Sequence, residues 1–174
     1  NFAKLSAECN KVYILGCSMG AVISLYLASI FPVNGLIIGG VVVKFQKSFQ
    51  VNYINPILCW IVKQSKKETN YSRKEVPKLF FYGYDAYPLI ALNEFRKLIN
   101  LMNDRYGDIK CPTLIFHSKK DRVSSYENLK FIDSKINPGI KDIVILNKAH
   151  HNLFDDNPEV DLIYNKIETC IKSN

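Results

Sequence analysis

Apolar and polar positions along the chain alternate in blocks whose periods differ. Residues 12–15 (VYIL) form a short β-branched and aromatic run suited to a buried strand, and residues 19–30 (MGAVISLYLASI) have helical length with small residues at their start. Residues 35–43 (GLIIGGVVV) read as a second buried strand. Periodicity is lost from 44 to 84, where Lys, Asn, Gln and aromatics mix, and returns at 89–102 (LIALNEFRKLINLM) with Leu89, Leu92, Phe95, Ile99 and Met102 near one helical face. A third strand is predicted at 112–116, a helix at 125–136, a fourth strand at 143–146 and a closing helix at 158–171 with Pro158 near its first turn. Strands alternating with helices imply an α/β fold: a mainly parallel sheet with helices on both faces. The stretch 19–43 carries no formal charge, but Pro32, Asn34 and Gly35 break it in the middle, so it reads as a helix and a strand and not as a membrane span.

The junction of the first strand and helix reads Gly16-Cys17-Ser18-Met19-Gly20. A nucleophile at the tip of a strand-to-helix turn strains the backbone, and glycines on either side remove Cβ atoms that would clash there. Ser18 would stand exposed above the sheet, and the backbone N–H of Met19 would point at a developing oxyanion with the helix dipole behind it. By composition G-x-S-x-G arises in roughly one chain in twenty of this size, so its position on such a junction carries more weight than the motif alone. Cys17 reads as a packed small side chain. A serine needs a base and an orienting acid. The chain has three histidines, His117, His150 and His151. His117 ends the third strand and reads as a rim residue, whereas the pair in KAHHNLFDDNPE follows the fourth strand, at the sheet edge where Ser18 should emerge. Asp121, in HSKKDRVSS after the third strand, is the candidate acid, which gives the chain order Ser, Asp, His.

Taken together, GCSMG, VNGLIIGG, YPLIALNEFRKLINLM before IKCPTLIFHSKKDRV, and AHHNLFDDNPE make the chain resemble the α/β-hydrolases of the carboxylesterase and monoacylglycerol lipase (lysophospholipase-like) group, from Lys11 to the C-terminus. The resemblance implies a single, partial α/β-hydrolase domain over 1–174 with a small cap insertion at about 45–85. It places the histidine of the family's A-x-H pattern on His151, because Leu153, Pro158 and Glu159 then keep the family spacing, and leaves His150 at the variable position. In that family further strands and a loop with the second oxyanion donor precede the nucleophile strand; the expectation is that this chain is a fragment of a larger hydrolase whose N-terminal strands are missing here. An alternative is that other residues supply the missing segment, or that the domain is degenerate.

Composition narrows the chemistry. At 174 residues and 48% hydrophobic, the chain can bury one core. Its five cysteines are scattered and never form CxxC, which speaks against a metal or disulfide framework and for reduced thiols in the cytoplasm. The basic residues behind the net charge of +7 cluster moderately at Lys63 to Lys67 and at Lys119 and Lys120, with no Arg-rich or aromatic-basic pattern that would suit nucleic acid. Within the 45–84 segment, Phe49, Tyr53, Leu58, Trp60, Ile61, Phe80 and Phe81 either line an acyl channel or anchor the cap; as candidate substrate-binding residues we take Phe49, Tyr53 and Trp60. Lys47, Lys63, Lys66 and Lys67 would give the cap a cationic outer face for an anionic lipid surface. The expected function is a serine ester hydrolase acting on acylglycerols, lysophospholipids or other small acyl esters with Ser18, His151 and Asp121, and without metal or organic cofactor. An acyltransferase or amidase on the same fold, and a non-catalytic lipid- or partner-binding module, are the alternatives. The sequence does not specify an oligomeric state.

Overall fold

The computed structural model describes residues 2–66, 86–155 and 157–173. These residues fall into two compact units, one comprising 1–46 with 98–174 and the other 47–97.

The first unit begins with α1 (Phe2–Glu8), whose Phe2 ring stacks on Phe31 at 4.6 Å. It continues with β1 (Tyr13–Cys17), α2 (Met19–Ile30) and β2 (Gly35–Gly39). In the second unit a π-type turn over Gln50–Ile54 runs on into the short helix α3 (Asn55–Leu58), and β3 (Gln64–Lys66) pairs antiparallel with β4 (Ala86–Pro88). Helix α4 (Leu89–Met102) carries the chain onward. The first unit is completed by β5 (Thr113–Ser118), α5 (Tyr126–Lys135), β6 (Lys141–Leu146) and α6 (Val160–Ser173).

The four long strands form one sheet in the order β1-β2-β5-β6, parallel throughout. Parallel strands need crossovers, and side-chain alternation shows on which face each crossover helix lies. A Cβ on Gly16 would come within 2.3 Å of Gly20 O and Ser24 Oγ, so α2 packs on the face of Ile14 and Gly16. The opposite face carries Ile37, Leu114 and Phe116, which join Leu146, Leu153, Ile163 and Ile167 in one core cluster and so take α6. Tyr13, on that same face, donates its hydroxyl to the carbonyl of Ile171 near the end of α6. Helices thus cover both faces of a mainly parallel sheet, as the alternating pattern predicts.

Two local expectations are corrected. The second strand does not run to Val43: it ends at Gly39, because Gly40 turns to φ +53°. Val41 to Val43 remain buried but are held by side chains, Ser124 Oγ donating to the carbonyl of Val41 and Val43 N–H donating to Asn128 Oδ1. An apolar β-branched run suits a buried loop as well as a strand, so periodicity could not tell them apart. The flanking glycines of the serine turn are also not equivalent. Gly16 is required by close packing of α2 on β1, whereas a Cβ on Gly20 would meet nothing within 4 Å.

Candidate active site

Ser18 lies between the last residue of β1 and the first of α2, and its backbone is forced into φ 56°, ψ −119°, the only positive φ of a non-glycine residue among the described residues. Such a conformation costs on the order of 1–3 kcal/mol and persists because both sides are fixed. Ser18 N–H donates to Gly39 O at 2.9 Å, and Ala21 N–H donates back to Ser18 O at 3.1 Å, starting the helix. The Met19 backbone N–H belongs to the first turn of α2, whose N–H groups have no carbonyl partner within the helix, while its side chain is exposed.

The other two residues come from loops that follow neighbouring strands. Asp121 lies three residues beyond β5 and its side chain is wholly buried. Its Oδ1 accepts from the N–H groups of Val123 and Ser124, each at 2.8 Å, and its Oδ2 lies 2.8 Å from His151 Nδ1. His151, on the loop after β6, places Nε2 2.8 Å from Ser18 Oγ. A carboxylate only accepts, so Nδ1 carries the proton and donates; the neutral ring then has its lone pair on Nε2, and the Ser18 hydroxyl donates to it. The structure therefore brings together the three residues in which the sequence suggested a nucleophile, a base and an acid. His150 is exposed beside them.

His117 does not sit on the rim, contrary to expectation. It is buried, because it alternates with Phe116 and so faces the side of the sheet away from α6, where the Tyr126 ring lies edge-on at 5.8 Å. Burial pushes its imidazole below the usual value, against a pull upward from Asp121, with a small further push downward from His151. Cys17 is the neighbouring thiol; its Sγ donates weakly to the carbonyl of His151 at 3.6 Å, and burial raises its pKa, so it stays a protonated thiol.

Several residues that shape this array escaped sequence reasoning. Gly40 lies against the Asp121–His151 contact: a Cβ there would sit 3.2 Å from both Asp121 Oδ2 and His151 Nδ1. Ser118, at the end of β5, donates its buried hydroxyl to the carbonyl of Ala149 and accepts from Lys120 N–H at 3.2 Å, tying the aspartate loop to the histidine loop. The Gly-Gly pair closing an apolar strand was the one visible signal; Ser118 had none.

Phe49, Tyr53 and Trp60 belong to the 47–97 unit. There Val51, Asn55 and Cys59 form the buried side of the helical turns, while Phe49, Tyr53 and Trp60 are 64%, 68% and 81% exposed. Phe49 and Tyr53 touch each other, ring centroids 5.4 Å apart. Phe80, Phe81 and Lys67 lie outside the described residues. Among the described residues no group of His, Cys, Asp and Glu is arranged to hold a metal ion, and no helix is long and apolar enough to cross a membrane.

Comparison with known proteins places this geometry in context. The family model for serine aminopeptidase, S33, matches residues 1–158. A thermostable monoacylglycerol lipase from Bacillus sp. (strain H-257) is 26% identical over 164 residues, covering 84% of this chain; the chain spans 57% of that protein's length. One of the metagenome-derived lipolytic enzymes LipS and LipT superposes with a TM-score of 0.81 at 18% identity, over 99% of this chain and 69% of its own. The monoacylglycerol lipase of Paleococcus ferrophilus superposes with a TM-score of 0.79 at 15% identity, over 99% and 73%. At these identities the structural likeness establishes the α/β-hydrolase fold and leaves the chemistry to be argued from the site.

Proposed function

Since the chain belongs to the serine aminopeptidase S33 family, we propose that it is the part of a serine hydrolase that carries the reacting residues, and that its substrates are small carboxylic esters. The observation that carries this reading is the pair of 2.8 Å contacts that link Ser18 Oγ through the His151 ring to Asp121. Ser18 Oγ attacks the ester carbonyl and its proton passes to His151 Nε2. Asp121, fixed by two backbone N–H groups, holds the ring in its tautomer and stabilises the imidazolium. The carbonyl oxygen becomes an oxyanion near the Met19 N–H. The alcohol departs with the proton from His151, leaving an acyl-Ser18 ester that water cleaves by the same steps in reverse order.

Acyl chains of monoacylglycerol or lysophospholipid length are the proposed cargo, with Phe49, Tyr53 and Trp60 as the apolar side chains that receive them and Lys47, Lys63 and Lys66 facing an anionic lipid surface. Support comes from the Bacillus relative, a monoacylglycerol lipase, and from the chemistry of these side chains. Amide hydrolysis is the second reading, favoured by the family's description as an aminopeptidase. A fluorophosphonate probe tests the nucleophile: the parent protein is labelled and Ser18→Ala is not. Labelling that survives in Ser18→Ala would overturn the reading. Turnover of p-nitrophenyl esters against aminoacyl p-nitroanilides then separates the two substrate classes.

A further inference from the structure

Beyond the three reacting residues, and resting on that reading of them, we propose that Glu159 is a positioning residue: its carboxylate closes the loop that carries His151 and so fixes where the imidazole stands. The loop leaves β6 at Leu146 and reaches α6 at Val160. The Glu159 carboxylate accepts from three consecutive backbone N–H groups at the start of that loop: from Asn147 at 3.0 and 3.1 Å, from Lys148 at 2.6 Å and from Ala149 at 2.9 Å. An ionised carboxylate offers about four lone-pair directions, enough for all three donors. Three successive N–H groups converging on one anion form a concave nest, and each bond to a charged acceptor is stronger than a neutral one.

The nest lies next to the chemistry. Ala149, two residues before His151, is fully buried; Glu159 holds its N–H while Ser118 holds its carbonyl. Beyond His151, Leu153 is fully buried, with its Cδ1 near Gly39 Cα, and its carbonyl accepts from Asn157 Nδ2 at 2.7 Å. Asn157 Oδ1 in turn accepts from the N–H of Glu159 at 2.9 Å. His151 is therefore suspended between two anchored points, and Glu159 takes part in both. Its position before α6 suggests a helix cap, but its oxygens accept from Asn147, Lys148 and Ala149, while Val160 N–H, at the head of α6, donates to the carbonyl of Asn157. Burial would raise the carboxyl pKa, and the three backbone bonds together with the Lys148 charge outweigh it and leave it below the usual value, so the anchor is anionic at neutral pH.

The test uses the full chain with Glu159→Gln, which keeps the shape but turns an NH₂ group toward N–H donors, and Glu159→Asp, which keeps the charge on a shorter stem. Glu168→Gln, on the exposed side of α6 and paired with Lys172, is the control. In Glu159→Gln the amides of Asn147, Lys148 and Ala149 exchange with deuterium at least about 10-fold faster, and the downfield Nδ1 proton of His151 shifts or broadens. Ester kcat falls about 100-fold, the size expected for a misplacement of about 1 Å, while KM stays at the parental value and Glu159→Asp recovers part of the loss. Unchanged exchange, an unchanged Nδ1 proton or parental kcat in a folded Glu159→Gln would overturn the proposal, as would a KM that rises in step with the fall in kcat. If Glu159→Gln does not fold, Glu159→Asp decides by the same readouts. A parent protein that neither labels at Ser18 nor turns over esters would defeat the proposed function alone, since exchange rates and the Nδ1 resonance report on Glu159 without catalysis.

Discussion

At the C-terminal ends of β1, β5 and β6, the side chains of Ser18, Ser118, Asp121 and His151 are each answered by a partner. Asp121 has no exposed side-chain surface, and its oxygens accept from Val123, Ser124 and His151. Among the described residues between 47 and 97 the pattern is inverted, with Phe49, Tyr53, Ile57, Trp60 and Ile61 exposed and Asn55 buried, its Nδ2 donating to the carbonyl of Leu89. Burying an unanswered carboxylate costs several kcal/mol, so the first region tolerates few substitutions. Exposed aromatics contribute little to stability, so the second region should tolerate substitution better than the first. The contrast separates side chains held by partners within the fold from side chains left exposed.

The largest effect should come from within the first region. His151→Ala removes the ring that is bonded to both Ser18 and Asp121, and ester kcat should fall on the order of 10⁴-fold or more. His150→Ala, at the exposed neighbouring position, should leave kcat within about threefold, the scale of ordinary surface substitutions. Steady-state kinetics on the two variants decides the register, and the reverse ranking would break the contrast between answered and exposed groups.

Gly40→Ala sharpens the same point while leaving all three reacting side chains in place. A residue with Cβ at φ +53° costs about 1–2 kcal/mol. The new Cβ also meets Asp121 Oδ2 and His151 Nδ1 at 3.2 Å, tighter than ordinary contacts. Thermal unfolding should move down by several degrees and kcat should fall more than KM rises. A variant with parental kcat would mean that the Asp121–His151 pair has slack.

Ser18, Asp121 and the His150–His151 pair were legible because each follows a strand whose type could be read locally and because their order along the chain restricts what they can be, whereas the choice of His151 over His150 came from the family resemblance alone. Gly40, Ser118 and Glu159 were not, since what they do depends on loops far apart in sequence meeting at one sheet edge. Ser118 reaches Ala149 across 31 residues, and nothing in HSKKD distinguishes it from any polar strand end. Glu159 stood out only as part of a resemblance, and its three amide partners appear only when the loop is closed. The second strand was read too long because Val41 to Val43 look like strand and are buried like strand, while the break at Gly40 is a matter of one dihedral angle.

The third effect is a matter of pH. The folded pKa of Glu159 lies below its ordinary 4.5, so its contribution to stability is present above that value and is lost as pH falls through the folded one. Urea unfolding of the parent and of Glu159→Gln should differ by about 1.5–3 kcal/mol at pH 7, the range for hydrogen bonds to a charged group. The gap should narrow below pH 4.5 and close once the carboxyl is protonated in both states. A gap that persists at lower pH would mean that the glutamate acts through packing and not through its charge.

The smallest effect on the fold, and the one that speaks most to substrate, belongs to the second region. Replacing Phe49, Tyr53 and Trp60 together with serine removes aromatic surface that is already 64–81% exposed, so each replacement should change stability by no more than about 0.5 kcal/mol. Turnover of a p-nitrophenyl acetate should stay at the parental level, because an acetyl group has no chain to place. With longer chains the two proteins should diverge. Each CH₂ received by these side chains is worth up to about 0.8 kcal/mol, so the parent should gain in kcat/KM from acetate to medium chains and the variant should follow a flatter line. Should the triple variant instead melt far below the parent and keep the parental chain-length profile, these aromatics would be anchors of their own unit, and the acyl group would have to be received elsewhere.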